Sequence, residues 1–122
     1  MSISLLRLKI NKDIIEICKG IKSNENIKTL AITTNGIVLS KMLPKLQDAG
    51  LDALNISLDT LIPAKFEFTT RRKGHNLVMK SITTAIELGY DPVKVNCVVM
   101  RNQNEDEIVD FVHLTKDKPI NI

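Results

Sequence analysis

Two segments of similar pattern decide the fold of this chain: GLDALNIS at residues 50–57 and GYDPVKVN at residues 89–96. Each begins with a glycine, continues with an apolar residue and an aspartate, and then alternates apolar and polar residues. Glycine is the usual residue just past a helix end, and alternation with a period of two is typical of a strand. The pattern therefore predicts a repeated helix-to-strand unit, as in barrels and doubly wound sheets.

The segments on either side of this repeat predict further elements of the same two kinds. Asn11 can cap a first helix with an apolar face of Ile14, Ile17, Cys18 and Ile21. Asn104 and Glu107 form a capping-box pattern before Ile108, Phe111 and Val112. We predict three strands, at 29–34, 53–59 and 93–100, and four helices, at 11–20, 40–49, 75–88 and from 104 onward. Pro63 can open one short helical turn in the connection 60–73. Because helices separate the strands, the sheet should be parallel.

Composition excludes several classes of function. The chain has 122 residues, 43% hydrophobic and 25% charged, with a net charge of +3. Only 3% are aromatic, which disfavours a nucleic-acid-binding role because such proteins stack bases on aromatic rings. No apolar run approaches the roughly 18 residues of a membrane span, and the interrupted start is too short for a secretory signal. We therefore expect one small domain with no nucleic-acid or membrane partner.

The two cysteines, Cys18 and Cys97, are far apart in the sequence. They do not form the close CxxC spacing of zinc or iron–sulfur sites, and they rule out a disulfide framework. Both fall on apolar sides of predicted elements. We expect them to be small core residues and predict no metal ligands in this chain.

The predicted strands carry polar residues on one of their faces, and this is the feature with chemical meaning. Apolar side chains share the other face, and the polar face has Thr33, Asn55, Ser57, Asp59, Lys94 and Asn96. Parallel sheets are usually apolar on both sides, and burying an unpaired polar group costs about 1–3 kcal/mol. The polar face must therefore meet water or a polar ligand. Lys94 on such a face needs an anion, most simply a phosphate. An antiparallel sheet with one solvated face is the alternative.

An ordered set of motifs resembles the radical S-adenosylmethionine GTP 3′,8-cyclase family of molybdenum cofactor biosynthesis. The resemblance extends from about residue 12 to 122, and the stretch 57–74 is similar to the animal form in particular. The motifs that carry it are ITTNG (32–36), DAGL (48–51), NISLD (55–59), PVKVN (92–96) and NEDE (104–107).

The resemblance implies a fold, a chemistry and a set of contacts. The fold would be a partial parallel β/α barrel with three to four strands and four helices. In the family, S-adenosylmethionine and [4Fe-4S] clusters start a radical cyclisation of GTP. By resemblance, Ser57 contacts S-adenosylmethionine, Thr33 contacts GTP and Lys94 contacts the GTP phosphates, with Asn96 a less certain neighbour of S-adenosylmethionine. Family members are expected to be homodimers, in the mitochondrial matrix for the animal form and otherwise in the cytoplasm.

Departures from the family pattern predict a fragment that is inactive alone. The CxxxCxxC cluster motif does not occur in the chain, and residues 5–11 stand where a Gly-Gly-Glu-Pro motif is expected. We therefore interpret residues 1–122 as one incomplete core domain with a divergent segment 1–11, from a truncated or alternatively spliced product. It would contain no catalytic residues of its own.

Two further hypotheses remain open: a non-catalytic fragment that pairs with the full-length enzyme, and an unrelated sugar-phosphate-binding α/β domain. Among other residues, His75 and His113 are expected to be solvated. The charge run 71–73 is expected in solvent or at a phosphate, and Asp59 is expected to accept backbone N–H groups after its strand.

Overall fold

The structure is a computed structural model that describes residues 2–6 and 13–122, with side chains from residue 13 onward. The predicted helix cap at Asn11 and the segment 1–11 apart from residues 2–6 lie outside the described residues. Residues 2–6 of that segment form a strand, which the sequence analysis did not predict.

Strands and helices alternate along the described chain. The strands are β1 (Ser2–Leu6), β2 (Thr29–Thr34), β3 (Ala53–Ser57), β4 (Val93–Asn96) and β5 (Ile120–Asn121). The helices are α1 (Asp13–Lys22), α2 (Leu39–Asp48), α3 (Pro63–Thr70), α4 (His75–Glu87) and α5 (Ile108–Leu114), and a short 3₁₀ turn (Glu105–Glu107) precedes α5.

All five strands form one parallel sheet in the order β1-β2-β3-β4-β5. The predicted fold class, a partial parallel β/α barrel, is confirmed, and the antiparallel alternative is wrong. The element count differs from the prediction, with five strands and five α-helices among the described residues. The two additional strands lie at the ends of the sheet, and β5 has two residues, too few to show a period in the sequence. Pro63 opens two turns of helix where one was predicted.

Helices cover one face of the sheet and form the core with it. The central strands alternate between buried and more accessible residues, as the period of two requires. Their buried face meets the apolar stripes of α2 and α4, and this burial is the main stabilising contribution. The core includes Leu30, Ile32, Leu54, Ile56, Val93 and Val95 from the strands and Leu39, Leu43, Leu46, Val78, Ile82 and Ala85 from the helices.

Some residues predicted for the core are exposed. Val99 is 55% exposed because β4 ends at Asn96 and the chain then leaves the sheet. Ile17 is 42% exposed because α1 buries the narrower stripe of Ile14 and Cys18. The last helix buries only Phe111, so Ile108 and Val112 are exposed.

Four hydrogen bonds, made by Asp52, Ser81 and Tyr90, tie the repeated units together. The Asp52 carboxylate accepts hydrogen bonds from the Leu30 amide at 2.8 Å and from the Lys22 ammonium at 2.9 Å, which joins α1, β2 and the start of β3. The buried Ser81 hydroxyl of α4 donates to the Gly36 carbonyl, and the Tyr90 hydroxyl donates to the Leu51 carbonyl at 2.8 Å. These bonds fix the helices against the ends of the strands.

Candidate functional site

The sheet face opposite the helices carries the predicted site residues. Thr33 is in register with Asn55, and Asn55 with Lys94, so these three form a row across β2, β3 and β4. Ser57 and Asn96 are in register two residues further along the same face. Strands lie about 4.8 Å apart and rise about 3.3 Å per residue, so the row spans roughly 10 Å and Ser57 lies roughly 7 Å beyond it. The structure thus brings Thr33, Ser57 and Lys94 onto one face.

This face is open in the described structure. Thr33 and Asn55 are half-buried, whereas Ser57, Lys94 and Asn96 are exposed. Small Ala31 and Ala53 lie on the same face. The face therefore offers hydroxyl, amide and ammonium groups to a ligand without the cost of burying unpaired polar atoms.

A cleft of about 1380 Å³ lies at the carboxyl ends of the central strands, where parallel α/β folds place their ligands. It is formed by the connections that follow β2, β3 and β4 together with one side of α3. Its lining includes Asn35, Ser57, Asp59, Thr60, Arg71 and Asn104. Ser57 is thus the predicted site residue that lines the cleft, while Thr33 and Lys94 lie along the open face.

Four residues form a hydrogen-bonded cluster, the strand-end network, between the connections after β3 and β4: Asp59, Thr60, Asn104 and Glu107. The buried Glu107 carboxylate accepts hydrogen bonds from the Thr60 hydroxyl at 2.7 and 2.8 Å and from the Leu61 amide at 2.7 Å. Sequence reasoning missed this network because its partners are 45 to 47 positions apart in the chain.

The capping box predicted at the last helix is wrong. Neither Asn104 nor Glu107 makes a side-chain capping bond. The Asn104 side chain instead accepts from the Met100 amide at 2.7 Å and donates to the Asp59 and Val98 carbonyls. Tertiary partners therefore take the polar groups that a local cap would use.

The prediction that His75 is solvated is also wrong, whereas His113 is exposed as expected. His75 is only 8% exposed, with Nε2 at 3.1 Å from the Thr60 carbonyl oxygen and its ring edge-on to Phe66. Asp59 does accept a backbone N–H, but from Val98 of the next connection at 3.0 Å. Both residues thus hold the connection that follows β3.

Positive charge borders the cleft on the α3 side. Arg71 and Arg72 follow the last turn of α3, are exposed and line the cleft. Lys65 is ion-paired with Asp106 at 3.1 Å and with Glu107 at 3.4 Å, and the hydrogen bond that its ammonium donates to the Asp106 carboxylate is the main reason the pKa of Lys65 is raised. The two arginines are therefore the charges at this edge best placed for an anionic ligand.

Neither cysteine has the character of a reactive thiol or metal ligand. Burial raises the pKa of the Cys18 thiol, and burial together with the charges of Asp59 and Glu107 raises that of Cys97. A raised pKa lowers the thiolate fraction at neutral pH. Over residues 2–6 and 13–122, His, Cys, Asp and Glu side chains do not gather in threes that could hold a metal ion. The described side chains therefore do not fit an iron–sulfur cluster. None of the described helices has the length and apolar character needed to cross a membrane.

Comparison with known proteins places these features in a family context. Residues 5–115 match the model of the radical SAM superfamily. The chain is 70% identical to "GTP 3′,8-cyclase, mitochondrial" of Arabidopsis thaliana and 58% identical to "Molybdenum cofactor biosynthesis protein 1" of Bos taurus. It is 42% identical to "GTP 3′,8-cyclase" of the bacterium Limosilactobacillus fermentum. Each comparison covers 93% of this chain.

The chain spans only part of each relative: 29% of the plant protein, 18% of the bovine protein and 34% of the bacterial protein. The resemblance predicted from the ordered motifs is confirmed. The likeness to the plant protein is at least as strong as the likeness to animal proteins, so the motif set is not restricted to the animal form.

Proposed function

We propose, on the premise that this chain belongs to the radical SAM superfamily, that it forms the central β/α segment of a GTP 3′,8-cyclase of molybdenum cofactor biosynthesis. The observation that carries the proposal is the single polar face on which Thr33, Ser57 and Lys94 lie together. The names of relatives 42 to 70% identical to the chain supply the reaction.

On this proposal Lys94 binds the phosphates of GTP, and Thr33 and Asn55 contact the nucleotide along the same row. Because the Lys94 ammonium is exposed on an open face, it can bind a phosphate without first breaking an ion pair inside the protein. Asn55, between the other two in register, is an addition to the residues implied by the resemblance.

Ser57 would contact S-adenosylmethionine at the cleft, with Asn96 beside it in register. In the superfamily, S-adenosylmethionine with a [4Fe-4S] cluster supplies the radical that starts the reaction. Because the described side chains do not fit a cluster, the roles proposed for this chain are to bind and orient GTP and S-adenosylmethionine.

The proposal also covers the location and the oligomeric state of the longer protein. The Arabidopsis relative is named as mitochondrial, which supports a mitochondrial location. A homodimer of the longer protein is also proposed.

Titration of the 122-residue chain with GTP, measured by calorimetry, tests the proposal. We expect Lys94→Ala to weaken GTP binding by about 10- to 100-fold, since a charge-assisted hydrogen bond contributes about 1.5–3 kcal/mol. Lys80→Ala is the matched control, because Lys80 is also exposed but lies on α4, in the helical layer. Equal affinity of the two variants for GTP, or no preference of the wild-type chain for GTP over ribose 5-phosphate, contradicts the proposal.

A further inference from the structure

Glu107 lies at the start of the surface helix α5, yet only 1% of the residue is exposed, which is unusual for a charged residue in that position. Its carboxylate takes two hydrogen bonds from the β3 side, from the Thr60 hydroxyl and the Leu61 amide, and has the Lys65 ammonium at 3.4 Å. Buried carboxylates are costly unless they are satisfied in this way. The position of Glu107 therefore depends on the connection after β3, and the conformation of that connection depends on Glu107.

Asn104 makes the second half of the same junction. Its amide nitrogen donates to the Asp59 carbonyl at 2.7 Å and to the Val98 carbonyl at 2.8 Å, and the Asp59 carboxylate accepts from the Val98 amide. Residues 59–61 are thus held by Asn104 and Glu107, the first and last residues of the NEDE segment. His75 adds a further contact, with its Nε2 at 3.1 Å from the Thr60 carbonyl oxygen.

The connection held in this way is a wall of the cleft. Asp59 and Thr60 line it, and they follow Ser57 by two and three positions. A shift of this connection would therefore move the cleft wall beside Ser57.

We propose that Glu107, with Asn104, is a positioning residue that holds residues 59–61 in the conformation that shapes the S-adenosylmethionine side of the cleft. This inference rests on the proposed function for the identity of the ligand. The positioning itself rests only on the contacts of the strand-end network. Glu107 does not itself line the cleft.

The test compares Glu107→Ala and Glu107→Gln with Asp106→Asn in the 122-residue chain. Asp106 is the adjacent acidic residue and also pairs with Lys65, but its carboxylate is not hydrogen-bonded to Thr60 or Leu61. Amide hydrogen exchange of Leu61 and Val98 reports on the connection, exchange of Ile56 reports on the core, and the melting temperature reports on the whole fold. The dissociation constant for S-adenosylmethionine reports on the site.

We expect Glu107→Ala to speed Leu61 exchange by about tenfold or more, the equivalent of one lost hydrogen bond to a charged acceptor, while Ile56 exchange is unchanged. Glu107→Gln keeps an acceptor oxygen and should restore most of the protection. The S-adenosylmethionine dissociation constant should rise about fivefold or more in the alanine variant, and stay near wild type in Asp106→Asn.

Two results would overturn the inference. The first is that Leu61 exchange in Glu107→Ala stays at the wild-type rate or changes only as much as Ile56 exchange does. The second is that Leu61 exchange becomes faster while the affinity for S-adenosylmethionine stays the same. If the wild-type chain binds no S-adenosylmethionine, the ligand assignment of the proposed function fails. The exchange data then still decide whether Glu107 positions the connection.

Discussion

Tyr90, the single tyrosine of the chain, shows how one buried group makes stability depend on pH. It is 6% exposed, and its hydroxyl donates to the Leu51 carbonyl. Burial, assisted by the negative charge of Asp52, raises the pKa of Tyr90 to about 12. The folded chain therefore favours the neutral phenol, whereas the unfolded chain ionises near pH 10.

We predict that Tyr90 contributes its full share of stability below about pH 10 and loses it as the pH rises through about 12, because only the unfolded state ionises easily in that window. Tyr90→Phe should cost about 1 kcal/mol at neutral pH through the unpaired Leu51 carbonyl. The difference in unfolding free energy between wild type and Tyr90→Phe, measured by urea denaturation, should then shrink above about pH 10. A constant difference across that range contradicts the assignment.

Residue-level prediction from the sequence succeeded where the side chain's environment is set by strand alternation. Leu54 and Ile56 are buried and Asn55 and Ser57 are on the other face, as the period of two dictates. It failed for His75 and Glu107, which both contact Thr60 and are 15 and 47 positions away from it in the chain. No local pattern signals such partners, so both residues were assigned surface or capping roles. The ligand contacts of Thr33, Ser57 and Lys94 stay predictions.

At the scale of elements, the turn from β2 to α2 depends on a glycine. Gly36 has a φ of +76°, and a Cβ built on it would lie 2.9 Å from Cγ2 of Ile56 and 3.4 Å from Cγ1 of Val78. A side chain there would be strained by the left-handed backbone and would also press into the packed core between β3 and α4.

We predict that Gly36→Ala lowers the free energy of unfolding by about 2–4 kcal/mol, from the left-handed backbone and overpacking together. Gly20→Ala is the control, since Gly20 lies in α1 with nothing within 4 Å of its added Cβ. Alanine there should be neutral or stabilising by up to about 1 kcal/mol. Thermal unfolding followed by circular dichroism measures both, and equal stability of the two variants would refute the prediction.

Element boundaries were predicted well where caps and periodicity agree. The helix expected at 75–88 is His75–Glu87, and the helix expected at 40–49 is Leu39–Asp48. The strand expected at 93–100 is shorter, since β4 ends at Asn96 and the apolar run that follows it leaves the sheet. An apolar run alone does not show where pairing stops, because β4 pairs with β3 only as far as Ser57 opposite Asn96.

For the whole molecule, one core between the sheet and its helices carries the stability. Leu54, in the central strand, is 1% exposed. We predict that Leu54→Ala lowers the unfolding free energy by about 3–5 kcal/mol while unfolding stays a single transition. Val98→Ala, at a side chain 56% exposed, should change it by no more than about 0.5 kcal/mol.

Urea unfolding followed both by far-ultraviolet circular dichroism and by Tyr90 fluorescence distinguishes the outcomes. Coincident transitions that shift together in Leu54→Ala are expected, since Tyr90 belongs to the same hydrophobic core. Transitions that separate would show that the surroundings of Tyr90 unfold independently of the rest of the secondary structure, contrary to a single core.

The order of the strands in the sheet, which follows their order in the chain, has a consequence for biosynthesis. Each of β2 to β5 pairs with the strand translated just before it, so during synthesis the edge to which each of these strands pairs has already formed. Among the five strands that the structure describes, none has to be inserted between two that have already joined. The growing polypeptide can therefore settle unit by unit in the direction of translation.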